Sequence, residues 1–276
     1  MDFETLSESE FERYRALIYR LSGIRVQPTK QVLVANRLRR RLKVTGIASF
    51  DAYYRFLNSP DGRNEVANFL DAITTNETYF FRDPSQFEWL AGPFLDEILE
   101  EAAHGRRPKR LRIWSAAASS GEELYSVAIV LKENAQRLSG WRLELLGTDL
   151  SGAMLDTARA GRYDQRAMRL VDARRRTAFF RTIADDPTHW EVAPEIKSMT
   201  KWRRHNLMFP LVSEEPFDLV FLKNVLIYFD HDSKEKVLKN VLGALRDRGC
   251  LVVGPTDAVS KFLTETNRER PWLFRK

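Results

Sequence analysis

The chain has 276 residues, with 44 Lys plus Arg against 38 Asp plus Glu and hence a formal charge of +6. An apolar share of 43% beside 30% charged residues excludes a disordered chain, and no run approaches the roughly 20 apolar residues of a bilayer span. One cysteine, Cys250, and four scattered histidines offer neither a disulfide nor a metal-ligand spacing, so a soluble, metal-independent protein is expected.

The opening Met1-Asp2-Phe3-Glu4 is acidic, with no basic n-region or apolar h-region, so no secretory leader is expected and the location is expected to be cytoplasmic. Ser7 followed by Glu10 forms a capping box, in which hydroxyl and carboxylate each satisfy an orphan N–H. Phe11, Tyr14, Leu17, Ile18 and Leu21 recur at helical spacing up to a stop at Gly23. A second helix is predicted over about 29–45, with Val34, Leu38 and Leu42 as its apolar stripe and Arg37, Arg39, Arg40, Arg41 and Lys43 around the opposite side. Phe50, Tyr53, Tyr54 and Leu57, then Val66, Phe69, Leu70 and Ile73, repeat the pattern. A small helical domain ending near Thr75 follows.

After about Lys109 the pattern changes. Leu111–Trp114 reads as a strand, followed by the small-residue run Ser115–Gly121 and a helix through Leu131. Leu143–Thr148 is a second strand, closed by Asp149, with a helix over 151–160. Phe217–Phe221 is a strand before a helix over about 233–245, and Cys250–Val253 is another strand. Strands alternating with helices imply parallel pairing through crossovers, hence a three-layer α/β domain. Between Tyr163 and Asn206 the alternation lapses into an Arg-rich stretch with short β-like pieces at 190–192 and 200–202, read as an inserted subdomain.

Ligands of open α/β sheets bind beyond the carboxyl ends of the strands. The run Ser115–Gly121 lets a ligand approach the backbone, and the next helix N-terminus offers unpaired N–H donors. With one glycine only, it is not a pyrophosphate fingerprint. Asp149 suits a ribose diol or, equally, a cap on the next helix. Glu122 and Glu123 suit the helix dipole, and one of them also suits an α-ammonium group. Together these features favour S-adenosylmethionine over a nicotinamide cofactor.

Five motifs stand in order: Thr75–Asp83 (TNETYFFRD), Ile113–Glu123 (IWSAAASSGEE), Gly147-Thr148-Asp149, Asn206-Leu207 and Asn224–Asp230 (NVLIYFD). This set resembles the CheR family, S-adenosylmethionine-dependent methyltransferases that esterify glutamates of bacterial chemoreceptors. The resemblance implies an α/β architecture in which a small N-terminal helical domain, 1–75, precedes a doubly wound, Rossmann-like methyltransferase domain, 76–276, with a β subdomain inserted at about 163–203. It implies that Asn76, Thr78 and Arg82 reach the cofactor from the interdomain segment. Glu123 would hold the methionine portion and Asp149 the ribose, while Asn206, Leu207, Lys223 and Asn224 line the adenine and methionine ends. Arg82 and Tyr228 would stand beside the transferred methyl, and S-adenosylhomocysteine would be the product. The chemistry is compatible: a glutamate, with a reference pKa of about 4.3, is already an anionic nucleophile, so no general base is needed.

Four positions depart from the common family wording. Lys223 stands where Arg is usual, Leu124 where Pro is usual, and Ala118 where Cys is frequent. Gly254-Pro255-Thr256-Asp257 replaces Gly-His-Ser-Glu, which bears on substrate choice and activity. The acid-free basic run from Arg25 to Lys43 reads either as a solvated helix face or as an electrostatic dock. The resemblance favours docking of a glutamate-bearing receptor helix by Arg37, Arg40 and Arg41. No stable nucleic-acid partner and no membrane insertion are expected, and the chain is expected to be a monomer. The competing readings are a methyltransferase for RNA or a small molecule, and a cofactor-binding regulator with reduced turnover.

Overall fold

The computed structural model describes residues 5–276; the acidic tetrapeptide read above lies outside them. Helix α1 (Glu8–Ser22) starts at the capping box, where Ser7 N–H donates to Glu10 Oε2 at 2.9 Å and Glu10 N–H to Ser7 Oγ at 3.3 Å. It ends at Gly23, whose φ of 74° disfavours a side chain; a Cβ there would also lie 2.3 Å from the Met208 sulfur. A 3-10 turn (Pro28–Lys30) leads into α2 (Gln31–Thr45), then α3 (Phe50–Leu57) and α4 (Arg63–Ile73). Their apolar faces meet in one core that includes Phe11, Tyr14, Ile18, Leu38, Tyr53 and Phe69.

A carboxylate from α4 is drawn into this domain. Glu65 accepts from Arg41 Nε (2.8 Å) and Nη2 (2.9 Å), the Tyr53 hydroxyl (2.7 Å) and Asn68 Nδ2 (2.8 Å). Burial pushes its pKa up, but these donors pull it further down, to below the usual carboxylate range. This narrows what the fold leaves free for the expected docking. Arg41 is spent on Glu65, and Arg37 donates to the Ile73 carbonyl and to Thr75 Oγ1 (2.9 Å). Of the three arginines only Arg40 is exposed. The basic run lacks acids locally, but the fold supplies one from α4.

The chain continues through α5 (Pro84–Trp89), a π-helical turn (Leu90–Phe94) and α6 (Leu95–Ala103) to β1 (Arg110–Ala116), α7 (Glu122–Glu133), β2 (Arg142–Asp149) and α8 (Gly152–Ala160). Then come β3 (Arg162–Asp164), α9 (Ala173–Phe179), β4 (Phe180–Ile183), β5 (Asp186–Val192), α10 (Pro194–Lys197) and β6 (Thr200–Arg204). The remainder is β7 (Phe217–Leu222), a 3-10 turn (Leu226–Tyr228), α11 (His231–Ala244), β8 (Leu245–Val253), β9 (Asn267–Arg270) and β10 (Leu273–Arg275). Seven strands form the main sheet in the order β6-β2-β1-β7-β8-β10-β9. The first five pair in parallel; β10 and β9 close the far edge antiparallel. Separate apolar clusters cover the two faces, one built on α7 and the other on α11. The fold class is the expected mixed α/β sheet behind an all-helical domain.

The inserted sheet is smaller than the sequence suggests. It contains β3, β5 and β4, all antiparallel. The piece at 200–202, read as part of the subdomain, is instead the core of β6, an edge strand of the main sheet in parallel register with Leu145–Asp149. Trp202 explains the switch: its ring lies over β2 so closely that a Cβ on Gly147 would sit 2.3 Å from it.

A candidate cofactor and methyl-transfer cleft

The order of strand addition reverses at β1, since β2 lies on one side and β7 on the other, and a crevice opens at the strands' carboxyl ends. The cleft there has a volume of about 460 Å³. All ten residues singled out in the sequence line it: Asn76, Thr78, Arg82, Glu123, Asp149, Asn206, Leu207, Lys223, Asn224 and Tyr228. Each stands in the interdomain segment, at the start of α7, at the end of β2, or just past the end of β6 or β7. That placement follows from topology.

Asp149 is buried, 7% exposed, at the tip of β2. Its Oδ2 accepts the Ser119 N–H and its Oδ1 the Ser151 N–H, each at 2.8 Å. Burial raises its pKa, and the N–H groups of Ser151, Ser119 and Leu150 oppose that. The cap on α8 comes from the Ser151 hydroxyl, which accepts the Met154 N–H, so Asp149 is not consumed by that helix. A carboxylate offers about four acceptor sites, and those left over suit a pair of hydroxyl donors. Between β1 and α7, Gly121 stands at φ 99°, where a Cβ would meet Ala158 and Trp202 at 2.8 Å.

The two neighbouring glutamates part company. Glu122 is buried and accepts from Ser120 Oγ at 2.7 Å; burial pushes its pKa up to about 7. Glu123 faces the cleft, with Oε1 accepting from Ser115 Oγ at 2.8 Å and Oε2 lying 3.4 Å from Lys223 Nζ. Lys223 also donates to the Arg82 carbonyl at 2.9 Å and lies 3.3 Å from Asp83. The ammonium thus ties β7 to the interdomain segment and to Glu123. Lysine serves here as a compact three-donor hub where a planar fork is not required.

Backbone strain is gathered at this place. Seven non-glycine residues among those described have positive φ, and five of them line or flank the cleft: Phe81, Asp83, Ala117, Ser119 and Asn224. Such conformations cost about 1–3 kcal/mol each and persist only where surrounding contacts fix them. Arg82, between two of them, donates from Nη1 to the Glu77 carbonyl at 3.1 Å and has no carboxylate within 4 Å among the described residues. The Tyr228 hydroxyl has no hydrogen-bond partner among them either, though its backbone is fixed: its carbonyl accepts the Arg25 N–H at 2.8 Å. Asn206 is largely committed, donating from Nδ2 to the Leu21 carbonyl (2.8 Å) and accepting the Met208 N–H (3.0 Å).

The sequence reading did not give two residues the roles that the structure shows. Asp257, fully buried, accepts the N–H groups of Asn224 (2.7 Å), Gly254 (2.9 Å) and Leu226 (3.0 Å). A Cβ on Gly254 would fall 2.7 Å from that carboxylate. The unusual Gly254–Asp257 loop therefore braces the loop carrying Asn224 and Tyr228. The other is Arg169, which enters the cleft from the segment after β3 and had no local signal beyond its charge.

An α/β sheet with a small-residue loop, a strand-end carboxylate and a glutamate–lysine pair at its carboxyl edge defines a nucleoside-binding methyltransferase of the S-adenosylmethionine class. Residues 76–271 match the model of the CheR methyltransferase, SAM binding domain, and residues 9–74 that of the CheR methyltransferase, all-alpha domain. The chain belongs to the CheR methyltransferase family. Chemotaxis protein methyltransferase 1 of Pseudomonas aeruginosa is 37% identical over 260 residues, 92% of either chain. The chemotaxis protein methyltransferase of Vibrio parahaemolyticus is 35% identical, covering 93% of this chain and 91% of that one. A glycopeptide N-methyltransferase, MtfA, solved with S-adenosylmethionine, is 15% identical over 56% of this chain and 51% of its own, with a TM-score of 0.33. The protein is an S-adenosylmethionine-dependent methyltransferase of the chemotaxis type, and no helix among its described residues is long and apolar enough to cross a membrane.

Proposed function

We propose that the enzyme esterifies glutamate side chains on the cytoplasmic helices of a chemoreceptor, with Arg82 and Tyr228 at the reacting centre. What carries the reading is that a guanidinium without a carboxylate partner and a phenol without a hydrogen-bond partner line the same cleft as Asp149 and Glu123. Asp149 would accept the ribose hydroxyls and Glu123 the ammonium of S-adenosylmethionine, with Asn76, Thr78, Leu207 and Asn224 lining the remainder. Asn206 contributes position rather than a free carboxamide. When bound, the cofactor supplies a methyl activated by a sulfonium with a neutral leaving group.

The protein's own work is alignment. Arg82 holds one oxygen of the incoming carboxylate through its planar fork, and the Tyr228 hydroxyl directs the lone pair of the other. Placement alone supplies an effective molarity of about 10⁵ M or more. No base enters, because the nucleophile arrives ionised. Lys223 and Asp257 hold this arrangement together, which favours an active enzyme over a regulator with reduced turnover. Arg40 and Lys43, both exposed on α2, are what remains of the basic face for receptor docking, and a cytoplasmic setting follows from the substrate.

The test is transfer of label from methyl-labelled S-adenosylmethionine to a receptor cytoplasmic fragment, followed by mild alkali. Methanol released by alkali is the expected product, with Arg82→Ala lowering the rate ~100-fold and Tyr228→Phe ~10-fold. Alkali-stable label, or label carried on RNA, would overturn the reading.

A further inference from the structure

Two cations at or near the cleft are paired with carboxylates. Arg166 meets Glu77 at 2.6 Å, and Lys223 lies beside Asp83 and Glu123. Two are not: Arg82 and Arg169 have no carboxylate within 4 Å among the described residues, and both line the cleft. The Arg169 guanidinium carbon lies 3.3 Å from the centroid of the Tyr79 ring, and that of Arg82 lies 5.5 Å from the same centroid. Arg169 Nη1 also donates to the Arg166 carbonyl at 2.8 Å. Stacking and that hydrogen bond fix an otherwise exposed, rotamer-rich side chain before any ligand arrives, which lowers the entropy lost on binding. Two like charges held around one ring repel each other, and an incoming anion relieves that repulsion.

We propose that Arg169 is a second carboxylate-binding residue, working beside Arg82 to select and orient the acidic group that accepts the methyl. The inference rests on methyl transfer to a protein carboxylate. In that transfer an oxygen lone pair forms the new C–O bond, while the pair of the broken C–S bond stays on sulfur. The carboxylate's negative charge and the sulfonium's positive charge vanish together, and no proton moves. Arg169 therefore attracts the charged substrate more than the transition state, where that charge is already fading, and more than the neutral ester. Its effect falls on KM rather than on kcat.

Steady-state transfer to a receptor cytoplasmic fragment is measured at saturating S-adenosylmethionine for the wild type, Arg169→Ala, Arg169→Gln and Arg169→Lys. KM for the fragment is expected to rise ~10-fold in Arg169→Ala and Arg169→Gln with kcat within about two-fold, and Arg169→Lys to recover part of the loss. Calorimetric affinity for S-adenosylhomocysteine and the thermal midpoint are expected to match the wild type. An unchanged KM overturns the inference, and so does weakened S-adenosylhomocysteine binding at an unchanged thermal midpoint, since Arg169 would then serve the cofactor. A wild type that binds S-adenosylhomocysteine yet methylates no carboxylate removes the glutamate reading and this inference with it, an outcome distinct from either.

Discussion

Replacing Asp257 by Asn probes the brace behind the cleft. One carboxylate accepts three backbone N–H groups, two at Oδ2 from Asn224 and Gly254 and one at Oδ1 from Leu226. An amide has one acceptor oxygen. Turned to keep the two bonds at Oδ2, it places its NH₂ against the Leu226 N–H, losing one charge-assisted bond and adding a donor–donor conflict. Hydrogen bonds to charged groups are worth about 1.5–3 kcal/mol, and an unsatisfied buried donor costs about 1–3 kcal/mol. A net loss of about 2.5–6 kcal/mol follows, or a midpoint lower by roughly 4–10 °C for a chain of 276 residues. Asn224, left-handed at φ 56°, and Tyr228 lose their anchor at the same time. Affinity for S-adenosylhomocysteine should fall about ten-fold, the equivalent of 1.4 kcal/mol. Scanning calorimetry with titration calorimetry reads both quantities. A variant matching the wild type in midpoint and affinity would refute the assignment of Asp257 as the brace.

Two further outcomes are expected. Glu122 keeps its proton to about pH 7 in the fold, against about 4.5 when unfolded, because burial penalises its charge. The folded state therefore holds a proton that the unfolded state has lost, and stability from this group declines as pH rises from 4.5 to 7. Glu122→Gln should gain on the wild type by about 2–3 kcal/mol between pH 5 and pH 8 in urea melts, and parallel pH profiles would contradict this. Glu65→Gln leaves the Arg41 guanidinium without its counter-charge in a half-buried site, and a loss of about 3 kcal/mol is expected at pH 7. Since the Glu65 pKa is held down, that stabilisation is present above the unfolded pKa and fades as pH falls through the folded one, so the two proteins should converge in acid.

Local signals carried much of this fold because local physics built those parts. The Ser7–Glu10 box, the helical stripes of the first domain and the carboxylate ending β2 needed only neighbours in sequence. The edge strand β6 was misplaced because its pairing partner lies some fifty residues away and its own run, TKWRR, is too polar to announce a sheet. The exposed β9, NRER, gave no alternation at all, and the helices over 84–103 are broken by Pro93 within a π-helical turn. In the site, the residue types were readable, but their partners were not. Nothing near Arg41 in sequence reveals Glu65, and nothing near Asn224 reveals Asp257, because each partner is brought in by tertiary packing. Tyr79 and Arg169 meet only because the segment after β3 returns to the interdomain segment.

The two domains are stitched at the cleft rather than merely tethered. Leu21 accepts from Asn206, Arg25 donates to Tyr228, Ile24 bridges Phe229, and Asp71 accepts the first N–H groups of α8. Grafting a relative's helical module onto this catalytic half would consequently disturb the phenol's mounting even with every catalytic side chain unaltered. A chimera aimed at new receptor preference needs the segment 21–25 and Asp71 to travel with their catalytic-half counterparts, which makes the seam, not the interdomain segment, the unit of inheritance.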